Sequence, residues 1–506
     1  MKINKLWGSR FHQEPSPRII EFLSGRDVEG VSPSDQHLVE YDIWGSKAHA
    51  IMLCKQGIIS EDDLRVILDG LREVEARFLQ GEFVLDASKE DVHSNVESFL
   101  IERYGLESAG KLHTARSRND QITLDMRLYM RQQVFDFIAE LDGLIGTFLE
   151  KAQENLDTVM PGFTHHQHAM VTTFAHVLLS FTEPLERDIW RFIHWCRLFN
   201  KNPLGGLAGY GSTFPSDREL TSKLLAFDTW HGNTLDPISN RWEPELEFSH
   251  AVAMTMNHLS TVAQSFILMS TAEFDMVKLD DTHCSGSSLM PQKRNPGALE
   301  VIKAKASVAQ GLLTGLLSLG KSSFIGYNRD SQWTKYLVMD MVRECKPALG
   351  VMREVMELLQ VNREVMLHQC RRGFIGATAL LEEIVRRFKI PFRKAKILVE
   401  KAVKYSEDKG ADMVILEGFR KALKETGLDL EMSEEELLEG QDPVRIVSRK
   451  TLKGGPSAEA VKGQIDGMGE KLEESRRWRE EGLRRIEGAK KEIQRIEESL
   501  GISVKA

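Results

Sequence analysis

Residues 244–275 constrain this chain more than any other stretch. Phe248, Val252, Met256, Leu259, Val262, Phe266 and Met269 recur at three- and four-residue steps, the period of an α-helix. The run is apolar on several sides and, at about 1.5 Å per residue, spans roughly 45 Å. A helix of that length and character must be covered by other helices. A second long pattern runs through 123–156, where Val134, Ile138, Leu141, Ile145 and Phe148 keep the same period. Almost no alternating strand pattern and no fixed-period repeat accompany them. The expected fold is all-α, built on a long central helical bundle.

The rest of the chain fits such a bundle. Residues 35–59 read as a helix through Leu38, Tyr41, Trp44, Ala48, Ile51 and Met52. Ser60-Glu-Asp-Asp63 reads as the N-cap and acidic first turn of the next. Further helical patterns cover 172–200, 298–319, 340–370 and 376–405. With 506 residues the chain is long enough for several domains. We divide it into an N-terminal helical part (1–115), the central bundle (116–370), a C-terminal helical part (371–465) and a charged extension (466–506). In the extension Ile486, Ala489, Ile493, Ile496 and Leu500 form a short heptad stripe, the mark of a helix that packs on a partner or folds back.

The net charge of −9 argues against a general nucleic-acid binder, while leaving room for a local basic site that holds an anion. Five scattered cysteines without a CxxC pair point to reduced thiols in a cytoplasmic compartment. The N-terminus lacks an apolar signal core, and no run is apolar enough to span a bilayer. Neither a membrane nor a nucleic acid is an expected partner.

Polar motifs interrupt the helices. Ser285, Gly286, Ser287 and Ser288 precede the donors Gln292, Lys293, Arg294 and Asn295, framed by Pro291 and Pro296. The prolines stop a helix from running through, and a helical pattern resumes at Leu299. A flexible serine loop ahead of a helix start makes an anion site; an ordinary polar loop between core helices would read the same way. Cys284 beside it reads as a buried bystander thiol. Gly110-Lys-Leu-His-Thr-Ala-Arg-Ser-Arg-Asn-Asp-Gln121 gathers basic, hydroxyl and amide donors, either as a solvated loop or as a carboxylate site gripped by an arginine fork. His93 and Glu97 stand four apart on one helix face, a structural or substrate-positioning pair. His165, His166 and His168 crowd together without the spacing that puts two metal ligands on one helix face. The glycine-rich run at 202–211 is no dinucleotide fingerprint, because it neither follows a strand nor keeps the required spacing.

Gly286-Ser-Ser-Leu-Met-Pro-Gln-Lys-Arg-Asn-Pro296 resembles the signature loop of the fumarase/aspartase superfamily, and its Pro-Gln-Lys form is most similar to the argininosuccinate lyases. His113-Thr-Ala-Arg-Ser-Arg-Asn-Asp-Gln121 matches that family's motif at every position but Ala115. Leu6-Trp-Gly-Ser-Arg-Phe11, the helix around Tyr41 to His49, Thr164-His165, and Tyr327-Asn-Arg-Asp-Ser-Gln-Trp-Thr-Lys335 extend the resemblance.

It implies a fumarate-releasing carbon–nitrogen lyase that converts argininosuccinate to arginine and fumarate by reversible anti elimination. It implies a homotetramer with a twenty-helix core, in which each active site draws on three subunits. No metal or organic cofactor is implied, because the substrate carboxylate is itself the electron sink. By the same resemblance Ser287 serves as base, and His165 is linked to the acid step and oriented by Glu300. Lys293 and Asn295 are the donors placed at the charged carboxylate. Ser117, Arg118, Asn119, Thr164, Tyr327, Arg329, Gln332, Lys335 and His93 are the candidate substrate ligands.

The chain also departs from the family pattern. Asn240-Arg241-Trp242 stands where Asp-Arg-Asp is usual, and Ser331, Trp333 and Thr334 differ beside candidate ligands for the leaving group. Ser24 and Ser32 are both candidates for an N-terminal substrate-binding serine. These changes touch the amine side more than the succinyl side. A lyase of the same mechanism acting on another N-substituted aspartate, of the ethylenediamine-disuccinate type, is therefore an alternative. An inactive, crystallin-like relative is a second; the joint presence of His165, Ser287, Lys293 and Glu300 speaks against it.

Overall fold

The computed structural model describes residues 33–321 and 323–502, together with residues 16, 18, 19 and 22. The motif at 6–11 and the candidates Ser24 and Ser32 lie outside them. A 3₁₀ turn at Ser34–Leu38 leads into α1 (Val39–Lys55), followed by α2 (Glu61–Leu79) and α3 (Val92–Tyr104). The cap read from sequence before α2 forms: the Ser60 hydroxyl accepts from the Asp63 N–H at 3.1 Å, and the Asp63 carboxylate accepts from the Ser60 N–H at 3.1 Å. That reciprocal bonding satisfies two otherwise orphaned donors.

The central bundle consists of α4 (Arg118–Glu154), α5 (Phe174–Phe199), α6 (Trp242–Met269), α7 (Gly297–Leu319) and α8 (Thr334–Glu357). α4 starts ahead of its apolar period because Ser117 and Asp120 build a second capping box. Phe137 of α4, Phe192 of α5 and Phe248 of α6 meet in the middle, with ring centroids 5.1–6.0 Å apart. All three are fully buried, and each contributes roughly 2–3 kcal/mol by leaving water.

One departure from the all-helical reading bears on function. A hairpin of β1 (Val159–Thr164) and β2 (Gln167–Thr173) joins α4 to α5. Its register shifts between Pro161 and Phe163, so the two-residue alternation that would have announced a strand is broken. The turn residues His165 and His166 have φ of 53° and 58°, the left-handed conformation that hairpin turns need and that costs a side-chain-bearing residue energy.

After α8 a second apolar core, centred on Leu380, Ile384, Leu398 and Phe419, is built by α9 (Ala377–Phe388), α10 (Phe392–Glu407) and α11 (Leu416–Thr426). The extension is a single helix, α12 (Ala458–Ser499), and it folds back on its own chain along α4 and α5. Met468, Leu472 and Ile493 are buried there. Gly482 passes so near Phe135 that a Cβ would sit 2.7 Å from the ring. No helix among the described residues is long and apolar enough to cross a membrane.

His49 on α1 ties the N-terminal helices to the motif loop: its buried Nε2–H donates to the Thr114 carbonyl at 2.9 Å. Burial, and next the positive charge of Arg116, lower its pKa to about 3. Between that value and the ordinary histidine value the unfolded chain carries a proton that the folded chain refuses, so stability rises with pH through this window. Going from pH 7 to pH 5 is expected to cost about 2 kcal/mol from this group. Urea titrations at both pH values should show a smaller difference in His49→Gln; an unchanged difference would remove His49 from the acid limb.

Candidate active site

A cavity of about 630 Å³ opens where the N-terminal helices meet the bundle. It brings together seven residues singled out in the sequence: His93, Arg118, Asn119, Tyr327, Arg329, Gln332 and Lys335. Arg118 and Asn119 occupy the first turn of α4, where the helix dipole and unpaired N–H groups favour an anion. Ser117 does not line the cavity; its hydroxyl caps α4, accepting from the Asn119 N–H at 3.3 Å. Tyr327 and Gln332 come from the segment before α8, and the Tyr327 hydroxyl donates to Gln332 Oε1 at 3.4 Å.

Sequence reading missed six charged or aromatic lining residues: Asp35, Glu90, Asp91, Arg241, Trp333 and Tyr336. Two of the cations are already engaged by them. Buried Lys335 donates to Asp35, and the Arg118 guanidinium donates to Glu90 at 3.1 Å and to Asp91 at 2.9 Å. The sequence signal for this wall lay in the departures at Asn240 and Trp242, which flank Arg241, and at Trp333, next to motif residues.

His93 is fixed from behind. It bonds not to Glu97 but to Asp42, with Nδ1 donating to Oδ1 at 2.7 Å, and Gln121 Nε2 donates to the same oxygen at 2.6 Å. Glu97 instead approaches His113 Nδ1 at 3.6 Å. Asp42, His93 and Asp125 hold their ligand atoms within 4.8 Å of one another, a donor set that a cation could use. Charge balance favours a proton. Burial alone would raise Asp42, but His93, Arg116 and Gln121 hold its pKa below the ordinary carboxylate value; burial and then the Asp42 charge push Asp125 well above it. One carboxylate facing Arg116 is balanced, whereas two beside a metal and Arg116 would require both acids to ionise in a dry site. Asp125→Asn, which mimics the protonated acid, is expected to stay within about 0.5 kcal/mol of the parent at pH 7, and Asp42→Asn to cost about 3 kcal/mol. Equilibrium unfolding measures both. A large loss in Asp125→Asn, together with chelator-sensitive activity, would point to a bound cation instead.

The remaining candidates lie on two other segments. Thr164 and His165 sit exposed at the hairpin tip. Ser287, Lys293 and Asn295 lie on the loop before α7, and Glu300 is exposed on the first turn of α7. None of these six lines the cavity of the same chain. The loop is pinched at its neck, where the Ser285 N–H donates to the Asn295 carbonyl at 2.9 Å and the Asn295 N–H to the Ser285 carbonyl at 2.8 Å. Arg294 braces it from below through Asp281 at 2.5 Å and the Leu279 carbonyl at 2.8 Å. Above the neck the Ser287 Oγ accepts two backbone N–H bonds, from Leu289 at 3.2 Å and Met290 at 3.0 Å. Lys293 is exposed nearby on the loop. Cys284 is buried at the base, and burial raises its thiol pKa, which fits a packing role.

A family model described as lyase matches residues 29–311. The chain is 39% identical to an argininosuccinate lyase of Pseudomonas aeruginosa over 412 residues, 81% of this chain and 87% of that one. It is 38% identical to the argininosuccinate lyase of Caldicellulosiruptor bescii over 470 residues, 92% of this chain and 98% of that one. Among solved structures it superposes on EDDS lyase in complex with formate with a TM-score of 0.87, at 28% identity over 96% of each chain.

Proposed function

The chain belongs to the argininosuccinate lyase family of the fumarase/aspartase superfamily, and from that premise we propose that it cleaves argininosuccinate reversibly to arginine and fumarate. It is a fumarate-releasing carbon–nitrogen lyase. The elimination removes a weakly acidic proton from the carbon beside a carboxylate. The pair left on that carbon becomes the new C=C bond, the C–N bond breaks, and its electrons leave with the nitrogen, which takes a proton.

The setting of Ser287 carries this reading. A free hydroxyl is a poor base, but an alkoxide on this Oγ would keep both loop N–H bonds, with the Lys293 cation carried on the same loop. Both effects lower its pKa. Ser287 takes the proton; Lys293 and Asn295 stabilise the extra charge on the substrate carboxylate, the kind of preorganised donor set that supplies most of such a rate enhancement. His165, oriented by Glu300, serves the acid step. The cavity between α3, α4 and α8 receives the amine half through Arg118, Asn119, Tyr327, Arg329 and Gln332.

Because His165 and Ser287 stand apart from the cavity of their own chain, we infer that association completes each site, in a homotetramer with a shared helical core. Exposed Val308 and Leu317 on α7 support this, since apolar side chains on a bundle helix call for cover. A cytoplasmic enzyme fits the five free cysteines.

Fumarate release from argininosuccinate, run beside ethylenediamine-disuccinate, tests the substrate. Rapid release from the first alone is expected. Release from the second alone would keep the mechanism and move the substrate, a reading favoured by the EDDS lyase likeness and by Trp333 in the cavity wall. Release from neither would favour a catalytically inactive relative.

A further inference from the structure

A second cavity, of about 160 Å³, lies where α12 packs on α4 and α5, and it shares no lining residue with the larger one. Its charges do not cancel. Arg131, Arg197 and Arg485 line it against two acids, Asp228 and Glu481. Arg485 and Asp228 pair at 2.5 Å. Arg197 and Glu481 are exposed, and neither has an ion pair within 4.0 Å among the described residues. Arg131 is 2% exposed. Its Nη groups donate at 2.9–3.0 Å to neutral acceptors, the Asn200 side-chain oxygen and the carbonyls of Ala226 and Leu225. Its Nε has no partner there. The charge of Asp228 reaches Arg131, but that carboxylate is already shared with Arg485.

The cavity therefore carries one positive charge in excess, partly on a buried guanidinium that neutral acceptors compensate poorly. A single negative charge would balance it, and arginine suits a carboxylate. The rest of the lining is apolar. Phe135 of α4 and Trp478 of α12 stand with ring centroids 5.6 Å apart, and Ile486 lines the same space. A dry cavity of about 150 Å³ holds one benzene ring, so this one admits a single ring or short chain. We propose that the cavity binds a small monocarboxylate with a flat apolar body, its charge balanced by Arg131 and Arg197 and its body covered by Trp478. The ligand touches both α12 and the bundle, so it strengthens the docking of the extension. This makes the extension one wall of a second binding site, separate from the lyase chemistry.

Benzoate and benzamide, alike in shape and different in charge, are suitable probes. Calorimetric titration into the intact enzyme, in saturating fumarate to occupy the lyase site, should show benzoate binding about tenfold or more tighter than benzamide. Arg197→Gln should cut that preference to about threefold or less. Glu481→Gln removes a competing acid and should raise benzoate affinity by about threefold, leaving benzamide where it was. Opposite changes of this kind do not follow from a structural role at either residue. Both side chains are exposed, so both variants should melt with the parent and release fumarate at the parent rate. Equal binding of the two probes, no binding of either, a preference that neither variant moves, or weaker benzoate binding in Glu481→Gln overturns the inference. The variants locate the binding whichever N-substituted aspartate the lyase cleaves.

Discussion

Replacing Ser287 by alanine is expected to lower the rate of fumarate release by about a thousandfold, within the range for loss of a positioned proton-transfer group. The fold should not notice. Ser287 lies on an exposed loop, and among the described residues its hydroxyl holds the Leu289 and Met290 N–H groups of that loop; both can turn to water. The stability change should remain within about 0.5 kcal/mol. KM should change little, because the proposed base meets its proton in the transition state more than in the bound ground state. Lys293→Met should behave differently, raising KM as well as lowering kcat, because a cation on the substrate carboxylate acts in both states. Steady-state fumarate absorbance with melting curves distinguishes the two. Near-normal turnover in Ser287→Ala would remove Ser287 as the base.

The second large effect concerns the extension. Lys47 on α1 is buried between Glu75 at 2.6 Å and Glu497 of α12 at 3.1 Å, and Glu497 is 3% exposed with its next cation, Arg72, at 4.0 Å. Lys47→Ala leaves a buried carboxylate nearly alone, at a cost of about 3 kcal/mol or more. Glu497→Ala should cost less, because Lys47 retains Glu75. The double substitution should be milder than the sum of the two, since it removes both members of the pair. Denaturation midpoints of the three variants measure the coupling. A Lys47→Ala protein as stable as the parent would mean that α12 does not dock here. The same contacts, with Arg476 on Asp142 at 2.7 Å, make the extension a brace whose loss acts on stability before chemistry.

The bundle was legible because its signal is local. Val134 to Phe148 and Phe248 to Met269 repeat at the period of a helix, and burying such a stripe leaves a chain little choice. The motif loops were legible for the same reason: Ser287, Lys293 and Asn295 lie within a few residues of each other. The hairpin was hidden, since the irregularity at Pro161–Phe163 breaks its alternation and two histidines fill a turn that usually calls for glycine or asparagine.

Composition and periodicity by themselves determined a helical bundle with polar interruptions, and the family resemblance of the motifs singled out the interruptions proposed to carry chemistry. Only the tertiary structure set Asp42 behind His93, assigned Ser117 to a helix cap, turned α12 back onto its own chain and placed Arg241 beside Trp333 and Lys335. The reason is physical. Helical period and capping depend on neighbours three or four residues away, whereas the charge balance of a cavity depends on groups brought together from 35, 91, 118, 241 and 335 by packing that no local pattern records.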